Sequence, residues 1–423
     1  MHYIQDTKRM RFVQRCALIL LILIALPSAA RADAVTDWNA YGVSAVITAA
    51  RGPGGYVDLA YMHIAMYDAV NAIDGRYSAF AVHPAHVPAG SSNNAAVIAA
   101  AYHVLLALFP DQQAVFDASY SASLAAIPDS QRKADGIEVG AEAAFLLLAS
   151  RAGDGRNAPI TYTPGSGPGA WIPTSPTPPL VVYLSQMRPF AMETASQFRG
   201  GGPPALTSDQ YTADFNEIKN LGCLNCPART EEQRIIGLFY TDLGPAQTGR
   251  GFRQVAVDYP MSLADDARLF AMLYVALGDA AIASVETKYY YGFWRPITAV
   301  RQADTDGNPD TTGDPDWTPL ALTPNFPDYV STHAATWGAF SETLRQFFGT
   351  KKVKFTLTSA ATGTTRTFTN TDDINKEIID ARVYVGFHFR TADVEGVVMG
   401  KKIGRLISKN YFRPLCIDHR CTS

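Results

Sequence analysis

Three short clusters hold the side chains that could do chemistry. Lys288-Tyr-Tyr-Tyr-Gly-Phe-Trp-Arg295-Pro296 comes first, Tyr329-Val-Ser331-Thr332-His333 second, and Ala381-Arg382-Val-Tyr-Val-Gly386-Phe-His388 third. Together they offer three cations, a serine hydroxyl and two imidazoles. An arginine fork pairs two oxygens of one anion and a lysine adds a point charge, so the set suits a tetrahedral oxyanion. Imidazoles titrate near neutral pH and can give or take a proton there. Singly, each member has a plain structural reading. Lys288 and Arg295 read as a solvated basic face, Ser331 as a helix N-cap, and His333 and His388 as core histidines. The combination points to one oxyanion pocket.

Lys288 and Arg295 are seven residues apart, two helical turns, and the spacing predicts both on one helix face that Pro296 ends. The aromatic residues around them imply burial, and a buried charge needs a counter-ion. Ser331 is expected to open a helix that stops at Gly349, with His333 on its first turn; free N–H groups at such an end attract anions. Gly386 marks a break that lets Arg382 and His388 converge although their spacing does not share a helix face.

The rest of the chain reads as mainly helical, a single helical domain over residues 33–423 with the active-site core at 262–410. Residues 56–73 place Leu59, Met62, His63, Met66, Val70 and Ile73 at three- and four-residue steps. His63 there reads as a core residue, and Asp68 on the same helix needs a partner if buried, for which an active-site arginine is a candidate. Ser130, Ser208 and Ser262 are N-cap signals, and Thr230 with Gln233 forms a capping box. Residues 353–369 alternate as one β-hairpin. Residues 153–206 are rich in proline and glycine yet carry Trp171, Tyr183, Met187, Phe190 and Phe198. That apolar content favours a long loop wrapped over the helical body rather than a free linker.

Composition bounds the rest. The 423 residues are 47% hydrophobic and 18% charged, an ordinary globular balance, and a net charge of −3 gives no reason to expect nucleic acid as a partner. Lys8, Arg9, Arg11 and Arg15 precede an apolar run at 16–26 and an Ala30-Arg31-Ala32 cleavage signature. Residues 1–32 therefore read as a signal peptide, exporting the mature chain to the periplasm or beyond. No later apolar run is long enough to span a bilayer, so the mature form is expected not to be membrane-embedded. After export four cysteines remain, Cys223, Cys226, Cys416 and Cys421, and nearest-neighbour disulfides are the expected pairing.

The three clusters resemble the signature of the type-2 phosphatidic acid phosphatase/vanadium haloperoxidase superfamily, K-x6-RP, PSGH and SR-x5-H-x3-D. Lys288, Arg295 and Pro296 fit the first part fully. The second matches at Ser331 and His333, with Val330 for Pro and Thr332 for Gly. The third matches at Arg382 and His388, with Ala381 for Ser and Asp393 one residue beyond the pattern. The stretches VTDWNAYGVSAV, MHIAMYDAVNAI and GFHFRTADVEGVVMG are similar to the bacterial secreted haloperoxidase-like branch. The resemblance implies an all-α bundle of the haloperoxidase/acid phosphatase type. It implies that Lys288, Arg295, Ser331, the Thr332 backbone and Arg382 bind the oxyanion. His388 would be the axial vanadate ligand or the phosphatase nucleophile, with His333 as acid/base. Asp393 would support His388, or Glu395, Asp68 or a backbone carbonyl would do so instead. The implied reaction is halide oxidation by hydrogen peroxide at bound vanadate. The alternatives are a phosphomonoesterase acting through a phosphohistidine, which needs no cofactor, and a non-catalytic phosphate- or vanadate-binding protein.

Overall fold

The computed structural model describes residues 33–417 and 420–421, with side chains as far as Leu415. The signal peptide expected at 1–32 lies outside these residues. Five helices come first, α1 (Ala34–Thr48), α2 (Gly54–Asp74), α3 (Asn93–Leu108), α4 (Gln113–Ala125) and α5 (Gln131–Ser150). Asp33 and Thr36 close a capping box on α1, and Ser130 caps α5 by accepting from Lys133 N. Helices α6 (Asp209–Leu221), α7 (Glu231–Phe239) and α8 (Gly244–Asp258) follow, α7 with the capping box of Thr230 and Gln233.

The long α9 (Leu263–Tyr291) is the axis of the molecule. It packs on α2 on one side, and on the other it receives α11 (Thr332–Phe348) and α13 (Arg390–Asn410), after the short α10 (Pro296–Arg301). Its apolar window is long enough to cross a bilayer but is wholly buried inside the protein, so α9 is a core helix. The hairpin of β1 (Phe355–Ser359) and β2 (Thr364–Phe368) pairs antiparallel, Phe355 opposite Phe368, and precedes α12 (Thr371–Tyr384). At the end β3 (Cys416–Ile417) and β4 (Arg420–Cys421) place Cys416 opposite Cys421 in backbone register, while the side chains of that expected disulfide lie outside the described ones. Cys223 and Cys226 form a disulfide directly after α6. The mainly helical fold with one small hairpin in the 353–369 region is the one the sequence predicts.

Residues 153–206 contain one short 3₁₀ turn, Val182–Gln186, and lie against α9 and the segment that follows it. Trp171 and Leu184 are buried, and backbone bonds join Trp171 to Gly292 and Trp294 to Gly169. Asp279, in the middle of α9, accepts from the backbone N–H groups of Phe190, Ala191 and Met192. Asp68 on α2 does the same for Phe80, Ala81 and Val82. Burial pushes both carboxyls up to about 6, against the pull of these donors. Asp68 thus anchors a loop to the first helices and has no active-site arginine as partner, contrary to its expected supporting role. His63 is a core residue, stacked on Tyr274 with centroids 4.6 Å apart.

Candidate active site

Lys288 sits in the last turn of α9, fully buried. Its Nζ donates to the carbonyls of Pro327 at 2.9 Å and Asp328 at 2.8 Å, and lies 4.7 Å from the centre of the Phe326 ring. The helix does not continue to Arg295. It stops at Tyr291, Gly292 takes the left-handed conformation at φ 56°, and Arg295 is the N-cap of α10 with Pro296 at the first helical position. The expected shared helix face is therefore replaced by two helix ends. Glycine past one terminus and proline just inside the next are the residues such a junction favours.

Arg295 is also fully buried. Its Nε donates to Phe326 O at 2.7 Å and its Nη1 to Phe387 O at 2.8 Å. The same Nη1 lies 3.1 Å from Nε2 and 3.3 Å from Nδ1 of His388. A carboxylate that the sequence did not single out completes this group. Asp328 Oδ1 is 2.8 Å from His388 Nδ1 and 3.7 Å from Arg295 Nη1. Burial pushes the Asp328 carboxyl up to about 7, with Arg295 and Lys288 opposing. Its only sequence signal is an acidic residue three positions before Ser331 in a stretch of apolar neighbours.

Ser331 caps α11, its Oγ accepting from Ala334 N at 3.3 Å. The Thr332 hydroxyl accepts from Ser284 Oγ on α9 at 3.0 Å, so the side chain that replaces a glycine of the pattern is tied to the helix core. Arg382 leaves the last turn of α12 and donates from Nη1 to Tyr240 O at 2.9 Å. Asp393, in the first turn of α13, is buried and faces the Ser331 hydroxyl and the Arg382 guanidinium. The carboxylate at His388 Nδ1 is Asp328, which corrects the expected pairing of His388 with Asp393, Glu395 or Asp68. One extra residue before Asp393 rotates it by a helical step, toward Arg382 and Ser331.

Gly386 makes the turn between Arg382 and His388. Its φ is 79°, and a Cβ there would stand 2.4 Å from Gly222 O and 2.8 Å from Pro319 Cβ. Gly386→Ala is expected to destabilise the protein by about 2 kcal/mol or more, from the left-handed backbone and the backbone clash together. Thermal unfolding of the variant measures this, and an unchanged melting temperature contradicts it.

His333, His388, Arg382 and Thr332 lie at the floor of a cavity of about 560 Å³. Three buried nitrogens of the site have no hydrogen-bond partner among the described residues, Arg295 Nη2, Arg382 Nε and His333 Nε2, and the carboxylate oxygens of Asp328 and Asp393 also have none. Such orphans are rare in a folded interior unless a ligand completes them. Burial first, then neighbouring cations, holds Lys288 well below the usual lysine range and His333 and His388 well below the usual histidine range. Arg295 is brought down to about 10, chiefly by burial. A bound anion reverses the repulsion and raises these values. Oxyanion binding is therefore expected to take up protons and to tighten as pH falls between the raised, bound-state values and the lowered, free-state ones. Calorimetry with sulfate in two buffers of different ionisation enthalpy reads the uptake directly, and equal heats in both contradict it.

Residues 268–415, which carry all three clusters, match the family model described as the VCPO second helical-bundle domain. That segment is thus similar to a vanadium haloperoxidase domain. Vanadium chloroperoxidase of Curvularia inaequalis is 30% identical over 216 residues. That match covers 42% of this chain and 35% of the relative, so the chain aligns with about a third of that protein's length. The structure of the first bacterial vanadium-dependent iodoperoxidase superposes with a TM-score of 0.76 at 20% identity, over 91% of this chain and 97% of that one. An apo-type bacterial vanadium-dependent chloroperoxidase gives 0.68 at 15% identity, over 85% and 93%. These likenesses establish a vanadium haloperoxidase fold over most of the described chain.

The residues present fit the vanadate oxyanion that a vanadium haloperoxidase takes. The donor set is cationic and imidazole-rich, and its unpartnered nitrogens are Arg295 Nη2, Arg382 Nε and His333 Nε2, while the buried carboxylates of Asp328 and Asp393 stand beside the cations. No group of three or more His, Cys, Asp or Glu able to hold a bare metal cation occurs among the described residues.

Proposed function

We propose that this chain is an exported vanadium-dependent haloperoxidase that oxidises halide with hydrogen peroxide. The observation that carries the reading is the cluster of buried, unpartnered donors on Arg295, Arg382 and His333 beside His388. Lys288, Arg295, Arg382, Ser331, the Thr332 N–H and His388 would hold vanadate. Bound there, vanadate supplies a Lewis-acidic centre that activates peroxide for oxygen transfer to halide. Lys288, Arg295 and Arg382 neutralise the oxyanion from a buried position, where fixed donors act more strongly than in water. His388 presents one ring nitrogen to the oxyanion while the other faces Asp328. His333, held neutral by burial and cations, is the acid/base that holds or releases a proton at Nε2.

The cavity mouth is apolar. Leu322 is 85% exposed, and Leu243, Ile47 and Leu180 also leave large side chains open to solvent around it. The charged wall residues are paired, Arg51 with Asp58 and Asp242 with Arg250. This suits small anions reaching the floor and an uncharged organic acceptor at the rim.

The test is a pair of assays on the purified protein: oxidation of iodide or bromide with vanadate and peroxide, and hydrolysis of an aryl phosphate without vanadium. Halide oxidation that depends on vanadate supports the proposal. Phosphate hydrolysis inhibited by vanadate, without halide oxidation, makes the chain a phosphatase on the same site. Neither activity with phosphate still bound makes it a binding protein, and failure to bind any oxyanion overturns the site itself.

A further inference from the structure

His388 can offer a lone pair at Nε2 only if the ring proton sits on Nδ1. In a neutral imidazole the choice is set by what the other nitrogen touches. Here Nδ1 lies 2.8 Å from an acceptor, Asp328 Oδ1, while the donor Arg295 Nη1 stands closer to Nε2, at 3.1 Å, than to Nδ1, at 3.3 Å. Both contacts favour the same tautomer. Asp328 is itself fixed at three points: its N–H donates to Phe293 O at 2.9 Å, its carbonyl accepts from Lys288 Nζ at 2.8 Å, and its side chain lies 3.7 Å from Arg295. One residue thus joins the segments that carry Lys288, Arg295, Ser331 and His388. Asp393, in turn, feels the Ser331 hydroxyl and the Arg382 charge, and His388 is not among its partners.

We infer that Asp328 is the positioning residue that fixes the orientation and tautomer of His388, in the place where Asp393 would be expected to act. The inference rests on reading His388 as the group that engages the oxyanion. Asp328 touches no substrate; it acts through the imidazole. A carboxylate that only balanced the charges of Lys288 and Arg295 would leave the tautomer unset.

The experiment uses the full chain labelled with ¹⁵N in histidine, at mildly alkaline pH and without vanadate. The His388 signals are assigned by their loss in His388→Ala. The wild type is expected to carry the proton on Nδ1, Asp328→Asn to shift it toward Nε2, and Asp393→Asn to leave it in place. In turnover, Asp328→Asn is expected to lower kcat by about 10²- to 10⁴-fold, the scale of losing a histidine-orienting carboxylate, with phosphate affinity within a few-fold. An Nε2-protonated wild type overturns the inference whether or not the variants fold. So does a tautomer that follows Asp393 rather than Asp328. A tautomer that follows Asp328 in a protein with no turnover in either assay upholds the inference and removes the proposed activity instead.

Discussion

His388→Ala is expected to lower turnover by about 10³-fold or more while leaving a measurable affinity for phosphate or vanadate. The three cations and the α11 N-terminus remain in the variant, and they supply most of the electrostatic grip. What is lost is the ring nitrogen proposed to bind the oxyanion. The removed imidazole also takes away the 2.8 Å contact of Asp328, leaving Arg295 at 3.7 Å, so some loosening of the α10 end accompanies the loss. Steady-state kinetics paired with equilibrium dialysis separates the two effects. Turnover within tenfold of wild type contradicts the axial role.

The second large effect is expected at Arg382. Arg382→Lys keeps a cation against Asp393 but removes the planar fork, the bond to Tyr240 O and the free Nε that lies beside the cavity. One charge-assisted hydrogen bond contributes about 1.5–3 kcal/mol, so oxyanion affinity is expected to fall by about 10- to 150-fold. Stability is expected to change less, because the buried carboxylate retains a partner. Calorimetric titration with phosphate and a thermal melt measure the two separately. An affinity within threefold of wild type contradicts a direct role for the guanidinium.

How much of this was readable from the sequence depends on how local each signal is. The N-caps at Ser130, Ser208, Ser262 and Ser331 and the box of Thr230 and Gln233 are local hydrogen-bonding patterns, and each opens a helix as expected. The Cys223–Cys226 disulfide follows from spacing and a helix end. Lys288 and Arg295 fit two turns of one helix by spacing, yet stand on two helix ends. The signal that separates them is also local, in Gly292 and Pro296 at the junction. Asp68 and Asp328 were not readable in the same way. A buried carboxylate declares that it needs a partner, but the partner is chosen by how distant segments cross. For Asp68 the partner is a loop twelve or more residues away; for Asp328 it is an imidazole sixty positions along the chain. The one-residue shift of Asp393 was visible, yet its consequence depended on the rotation of α13 against α11.

The central claim is that Lys288, Arg295, Ser331, Arg382 and His388 form one oxyanion pocket with His388 as its axial group. The most direct measurement is a crystal structure of the protein soaked with vanadate. Density for one oxyanion is expected on the cavity floor, bonded to His388 Nε2 and within hydrogen-bond reach of Arg295 Nη2 and Arg382 Nε. Vanadate bound elsewhere, or a floor that stays free of it at saturating concentration, would contradict the account.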